Sequence, residues 1–297
     1  MPETNKPLRR TSLEPVLWSC LLYLCGLAFL FYYFYPRFTS SPVGEALQPI
    51  QASLSIGPIL IYFFSVVIVM GIILWIIPVS KLKLLLRIVF AILYVWGIVI
   101  ITQINLPIAA AISLGAVAAL LWLFFPLVIL QDILLLLTLV AVGVVFGTLV
   151  SPWTVVWVLL ALSIYDVVAV RLGYMMWLAK KLSESDTLPA FIVPKKSRDW
   201  NLNLKGETVT KLFEEESAER EFSLLGGGDL GFPLVFVASV YGVYGYYSAM
   251  VVAGASIAGL ILAYLIQIYV LKGKPLPALP PISFMAFLGF LAVYLTH

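Results

Sequence analysis

Stretches of about 20 apolar residues recur along almost the whole chain, and such a stretch is the length an α-helix needs to cross a bilayer. Nine segments of the 297-residue sequence qualify: 15–35, 57–79, 84–104, 107–125, 127–149, 153–178, 224–248, 250–271 and 279–296. Pro36, Pro107, Pro126 and Pro152 punctuate their ends. Composition agrees, with 62% hydrophobic and only 11% charged residues, where a soluble domain carries about a quarter charged. The expected fold is therefore an all-α membrane protein with nine transmembrane helices. Gly143 and Gly147 share one helix face at a spacing that suits close helix packing. No cleavable signal peptide is expected, since the first apolar run is too long for one and lacks a small-residue cleavage site. Cys20 and Cys25 lie on the first helix without a metal-binding spacing.

Positive charge orients the chain. Lys6, Arg9 and Arg10 precede the first span, and placing them inside also places Lys81, Lys83, Arg87, Lys272 and Lys274 inside. Of the 18 Lys and Arg, Arg37 alone falls outside, and Arg171 lies within the sixth span. The N-terminus is thus expected to be cytoplasmic and the C-terminus external. The net charge of +3 is dispersed over short loops and gives no reason to expect a nucleic-acid partner. Three parts follow. Residues 1–178 hold six helices, 179–223 form a hydrophilic cytoplasmic loop, and 224–297 hold three more. The loop begins with Lys180 and Lys181 and carries Glu214, Glu215 and Glu216. It reads either as a solvated linker or as a gate that handles substrate.

Ionisable groups are costly in hydrocarbon, so each one within a span is a functional hypothesis. Asp132, near the start of the fifth span, can be explained by a helix N-terminus or headgroup water. Arg171 can snorkel to the cytoplasmic interface. It sits about 140° around the helix from Asp166, which makes the two poor partners. Asp166 lies deep in the sixth span, with Leu162, Ser163, Ala169 and Val170 on neighbouring turns and no countercharge. It must find a partner on another helix or in a wet cavity, or stay protonated. Asp229 follows three glycines, Gly226, Gly227 and Gly228, which strip side chains from its surroundings and let other backbone approach. Pro233 comes soon after, so this start of the seventh span reads as an irregular one. Before the last span, Pro275, Pro277, Pro280 and Pro281 forbid regular helix. Non-helical backbone at membrane depth belongs in protein-lined cavities or at the interface.

The only histidine is His297, which excludes a His-Glu-x-x-His zinc site and a serine–histidine pair. Glu215-Glu216-Ser217-Ala218-Glu219-Arg220 matches the Glu-Glu-x-x-x-Arg string of prenyl-protein proteases, yet has no histidine to support it. Any acid–base chemistry in the membrane must then use carboxylates, with no metal or cofactor. Two carboxylates at close range share one proton. The ionised one can take a proton from an attacking water, and the protonated one can polarise a peptide carbonyl. Paired carboxylates also suit a cation–proton exchanger, and a non-catalytic scaffold would use them only to bind helices.

Tyr165-Asp166, Gly226-x-Gly228-Asp229 and Pro277-Ala278-Leu279, in this order and on these spans, resemble the three signatures of the presenilin and signal peptide peptidase family of intramembrane aspartyl proteases. The string Leu276-Pro277-Ala278-Leu279-Pro280 and the deduced orientation look more like presenilin. The resemblance implies that Asp166 and Asp229 are the catalytic pair and that Pro277, Ala278 and Leu279 shape the site. It implies single-span membrane proteins with an external N-terminus as substrates. The scissile segment must be unwound, and Gly226–Gly228 with the end of the 179–223 loop is where backbone pairing would hold it. Gly227 and Leu230-Gly231-Phe232 match neither eukaryotic branch closely, and the loop is short. The chain looks like a compact microbial homologue in a cell membrane, able to act without accessory subunits and free to form homo-oligomers.

Overall fold

The computed structural model describes residues 14–40, scattered positions between 57 and 72, 79–173, 190–194, 197–203, 222–271 and 276–296. Most of the second expected span, 57–79, and most of the 179–223 loop, with Lys180, Lys181 and the Glu214–Glu216 run, lie outside the described residues. So do the N-terminal cluster Lys6, Arg9 and Arg10, and Lys272, Lys274 and Pro275.

The apolar runs fold as helices. In chain order these are α1 (Glu14–Ser40), α2 (Val79–Thr102), α3 (Ile108–Phe124), α4 (Val128–Leu149), α5 (Pro152–Arg171), α6 (Gly227–Leu265) and α7 (Leu279–Thr296). Among the described residues six helices are long and apolar enough to cross a membrane, and Ile108–Phe124 is a shorter apolar one. Several boundaries differ from expectation. α1 runs through Pro36 to Ser40. α5 stops at Arg171 rather than 178, because Gly173 takes a left-handed φ of 71° and turns the chain. The segment expected to open the seventh span is instead a strand, β2 (Phe222–Gly226), paired antiparallel with β1 (Ala190–Pro194). The all-α expectation thus gains a two-stranded sheet, formed at both ends of the hydrophilic loop.

α6 and its π-helical continuation, Ile266–Val270, cover 44 residues, about 66 Å at helical rise and twice what one bilayer crossing needs. Gly245 breaks the run with φ 80° and ψ −173°, a region essentially reserved for glycine. The two limbs correspond to the seventh and eighth expected spans. The first is the centre of the molecule, with Leu230, Leu234, Phe236, Val237, Ala238 and Val240 almost fully enclosed.

Small residues set how closely its neighbours approach. Gly143 faces Leu234 and Gly147 faces Ala238, while Leu139 covers Gly231. Residue numbers rise together along this seam, so α4 and the first limb of α6 run parallel, in the close contact expected of Gly143 and Gly147. Gly97 lets α2 touch the Thr138 backbone, and Gly115 brings α3 onto Val95. α7 packs against the second limb, where Gly259 meets Pro281 and Ile282. The Phe290 ring then reaches Phe236 on the first limb and Trp153 on α5. α1 closes the other side, with Phe34 stacked on Tyr241 at 4.4 Å and Ser19 hydrogen-bonded to Tyr264 at 2.6 Å.

Candidate active site

Helix α5 starts on a Ser151 cap that accepts from the Thr154 amide, with Pro152 in the first turn. Its other end brings Asp166 into the interior, 6% exposed and one and a half turns from the helix terminus. Arg171 occupies the exposed last turn, where a cation complements the helix dipole. Tyr165 beside Asp166 is half-buried.

Asp229 is placed by its helix start. Gly226 is the N-cap residue of α6 and makes no side-chain cap, so Asp229 is the third helical residue. Its carboxylate reaches back to the Gly226 backbone N–H, the reciprocal half of a capping box. A Cβ on Gly226 would stand 3.0 Å from Asp229 Oδ2 and crowd the carboxyl. Gly227 is buried and Gly228 exposed. Pro233, four residues on, removes the amide that would bond the Asp229 carbonyl within the helix.

The third element is the stretch before α7. Leu276, Pro277 and Ala278 are outside any helix or strand and half-buried, and Leu279 opens the helix. The Leu279 N–H donates to Asp166 Oδ2 at 3.3 Å. This amide belongs to the first turn of a helix, so it has no intrahelical partner to lose. Asp166 stands close enough to Asp229 for its charge to act on the Asp229 carboxyl. Residues from three separate helices, each singled out in the sequence, therefore converge.

Beside them lies a cavity of about 60 Å³, room for a few waters. Asp229, Ser223, Leu224, Ala278, Tyr264 and Gln267 are among its lining residues. Tyr264 and Gln267 went unremarked in the sequence because neither carries charge. A polar Gln inside an apolar run was the available signal, and the π-helical turn that carries it is a local irregularity of the kind that gathers at functional sites.

Asp132 does not cap α4, whose start lacks any side-chain cap, and it meets no headgroup water, being 1% exposed. Its Oδ1 accepts the Ile192 N–H of β1 at 3.1 Å. The reason is the sheet: β1 lays one edge on α4, and a buried strand edge needs acceptors for its amides.

The family model described as signal-peptide peptidase, presenilin aspartyl protease matches residues 38–297. Two solved structures of a presenilin family intramembrane aspartate protease share the fold. The one in space group C222 is 18% identical with a TM-score of 0.63, covering 95% of this chain and 100% of that one. The one in space group P2 is 20% identical with a TM-score of 0.59, covering 95% and 98%. No curated protein matches. With its converging aspartates and a family match over most of its length, the chain belongs to the signal-peptide peptidase and presenilin family, and is a multi-pass intramembrane aspartyl protease.

Proposed function

We propose that the protein hydrolyses peptide bonds within the transmembrane segments of single-span membrane proteins, with Asp166 and Asp229 as its acid–base pair. The observation that carries this reading is the convergence of three helices, where the Leu279 amide bonds Asp166, the Asp166 charge reaches Asp229, and Asp229 lines a small cavity. The ionised member of the pair takes a proton from water as it attacks the scissile carbonyl. The protonated member polarises that carbonyl and then protonates the leaving nitrogen, so the proton inventory of the pair is restored at the end of the cycle. The Leu279 N–H holds the Asp166 carboxyl in place by hydrogen bonding to it, while Leu276 and Ala278 form one wall of the cavity.

The sheet register supports a place for the substrate. Ile192 faces Leu224 and Ala190 faces Gly226, and the Ile192 N–H points away from β2 to Asp132. Both pairs are therefore of the type that exchanges no ladder bonds, so the Leu224 and Gly226 amides point outward along the edge of β2 that pairs with no other strand among the described residues. That edge borders the cavity and leads to Asp229. An unwound substrate strand added there presents its amides to the carboxyl pair. The proposal extends to nine spans, a cytoplasmic N-terminus, an external C-terminus, substrates with an external N-terminus, and residence in a microbial cell membrane without obligatory subunits.

The test is cleavage of a labelled single-span substrate by purified protein in bilayers, for the parent, Asp166→Asn and Asp229→Asn. Each variant is expected to fold and to lose activity by at least about a hundredfold, the lower range for a general acid or base. Cleavage that survives either change removes that residue from the mechanism. A folded parent that cuts nothing, but carries cations across vesicles, replaces the protease reading with ion exchange.

A further inference from the structure

The third buried carboxylate, Asp132, has no part in the mechanism above. It is more enclosed than Asp166, and its second oxygen, Oδ2, has no hydrogen-bond partner among the described residues. A buried polar group this costly calls for an explanation.

Its one bond reaches across 60 residues of sequence to the Ile192 amide. β1 around it is sealed, with Phe191, Ile192 and Val193 fully buried. Through the ladder, Ile192 lies opposite Leu224, whose outward edge borders the cavity, and Ala190 lies opposite Gly226, whose amide holds Asp229. The hydrogen bond from α4 thus sets the depth and register of β1, and β1 sets β2. Other contacts also tie the loop to the helices: the Val128 amide donates to Leu202 O, Leu127 bridges Asn203, and Trp18 meets Trp200 edge-on. Losing the Asp132 bond therefore frees the strand locally without detaching the segment.

We propose that Asp132 is a positioning residue for the protease: as a buried acceptor on α4 it anchors β1 through the Ile192 amide, and so holds the outer edge of β2 where an extended substrate must dock. The idea rests on the functional reading above for its effect on cleavage, but not for its effect on the strands. Its feature is the acceptor oxygen rather than the charge, since an asparagine oxygen can receive the same amide.

The experiment compares the parent, Asp132→Asn and Asp132→Leu by unfolding midpoint, steady-state cleavage, and amide hydrogen exchange over 190–194 and 222–226. In Asp132→Leu, exchange at 222–226, a strand Asp132 does not touch, is expected to rise about tenfold, with KM up by a similar factor and kcat within about threefold. Asp132→Asn is expected to stay within about twofold of the parent in all three readouts. Unchanged exchange at 222–226 in folded Asp132→Leu overturns the proposal, as does an Asn variant as impaired as the Leu variant. Should the Leu variant not fold, the parent decides: an Ile192 amide as slow to exchange as Phe191 and Val193 supports the anchor, and one as fast as exposed backbone refutes it. A parent that cuts no substrate refutes the protease reading alone, because the exchange measurements still decide the anchor.

Discussion

Gly147→Ala tests whether the position of Asp229 depends on how closely α4 approaches α6. A Cβ at residue 147 would stand 2.3 Å from the Ala238 Cβ, 2.9 Å from Val235 O and 3.0 Å from Ser239 N. Carbon atoms settle at about 3.5–4.0 Å, and none of these three neighbours can rotate away. The helices must therefore separate by more than about 1 Å, at a cost of about 1–3 kcal/mol for overpacking. Asp229 lies about 14 Å along the same enclosed limb from Ala238, so the displacement is carried toward the carboxyl pair. A misplacement of about 1 Å at a reacting centre can cost about a hundredfold in rate. Gly254→Ala is the control, since a Cβ there meets nothing within 4 Å; it should leave both midpoint and turnover at the parent's values. Thermal unfolding in detergent and cleavage of the labelled substrate read both effects. A Gly147→Ala protein with the parent's midpoint and kcat would show that the seam is slack, and that the argument from close approach is wrong.

Two further changes probe the site's surroundings. Leu279→Pro removes the amide that donates to Asp166 at a helix position where proline is tolerated. Cleavage should fall by about tenfold or more, while Leu279→Met, which keeps the amide, should stay near the parent; equal activities would dismiss this hydrogen bond. Tyr264→Phe leaves fully buried Ser19 without its 2.6 Å partner, which should cost about 1–3 kcal/mol, whereas adding Ser19→Ala should recover most of it. A double variant no more stable than Tyr264→Phe would contradict that account.

The helices were legible because a bilayer crossing needs a long apolar run, and such runs survive any detail of packing. Gly143 and Gly147 were legible for the same reason: close approach in hydrocarbon depends on residue size, which the sequence states. The convergence of Asp166, Asp229 and Leu279 could be anticipated from the cost of a bare carboxylate and from family signatures. What escaped notice depends on partners distant in sequence. Phe222–Leu225 is too short to reveal a strand by its period, and hydropathy merges it with the helix that follows. Asp132 looked like a residue at a helix start because its true partner, Ile192, sits on the far side of α5 in the chain. The end of α5 was misplaced because the apolar pattern continues beyond Gly173, whereas the backbone turns there. Tyr264 and Gln267 carry no charge, so their place at the site follows only from the fold.

The site's three contributors lie at positions 166, 229 and 279 of the chain, and α7 wedges in behind them against α5 and both limbs of α6. A ribosome delivers them in that order, with the Leu279 amide coming last of the three. A nascent chain with only its first helices in the membrane would hold one stranded aspartate and no means of cutting anything. Hydrolytic power would arrive only with α7, after the earlier helices have passed the insertion machinery and the other young membrane proteins assembling there. An enzyme that attacks transmembrane segments would thus stay harmless, during its own biogenesis, to the population it is born among.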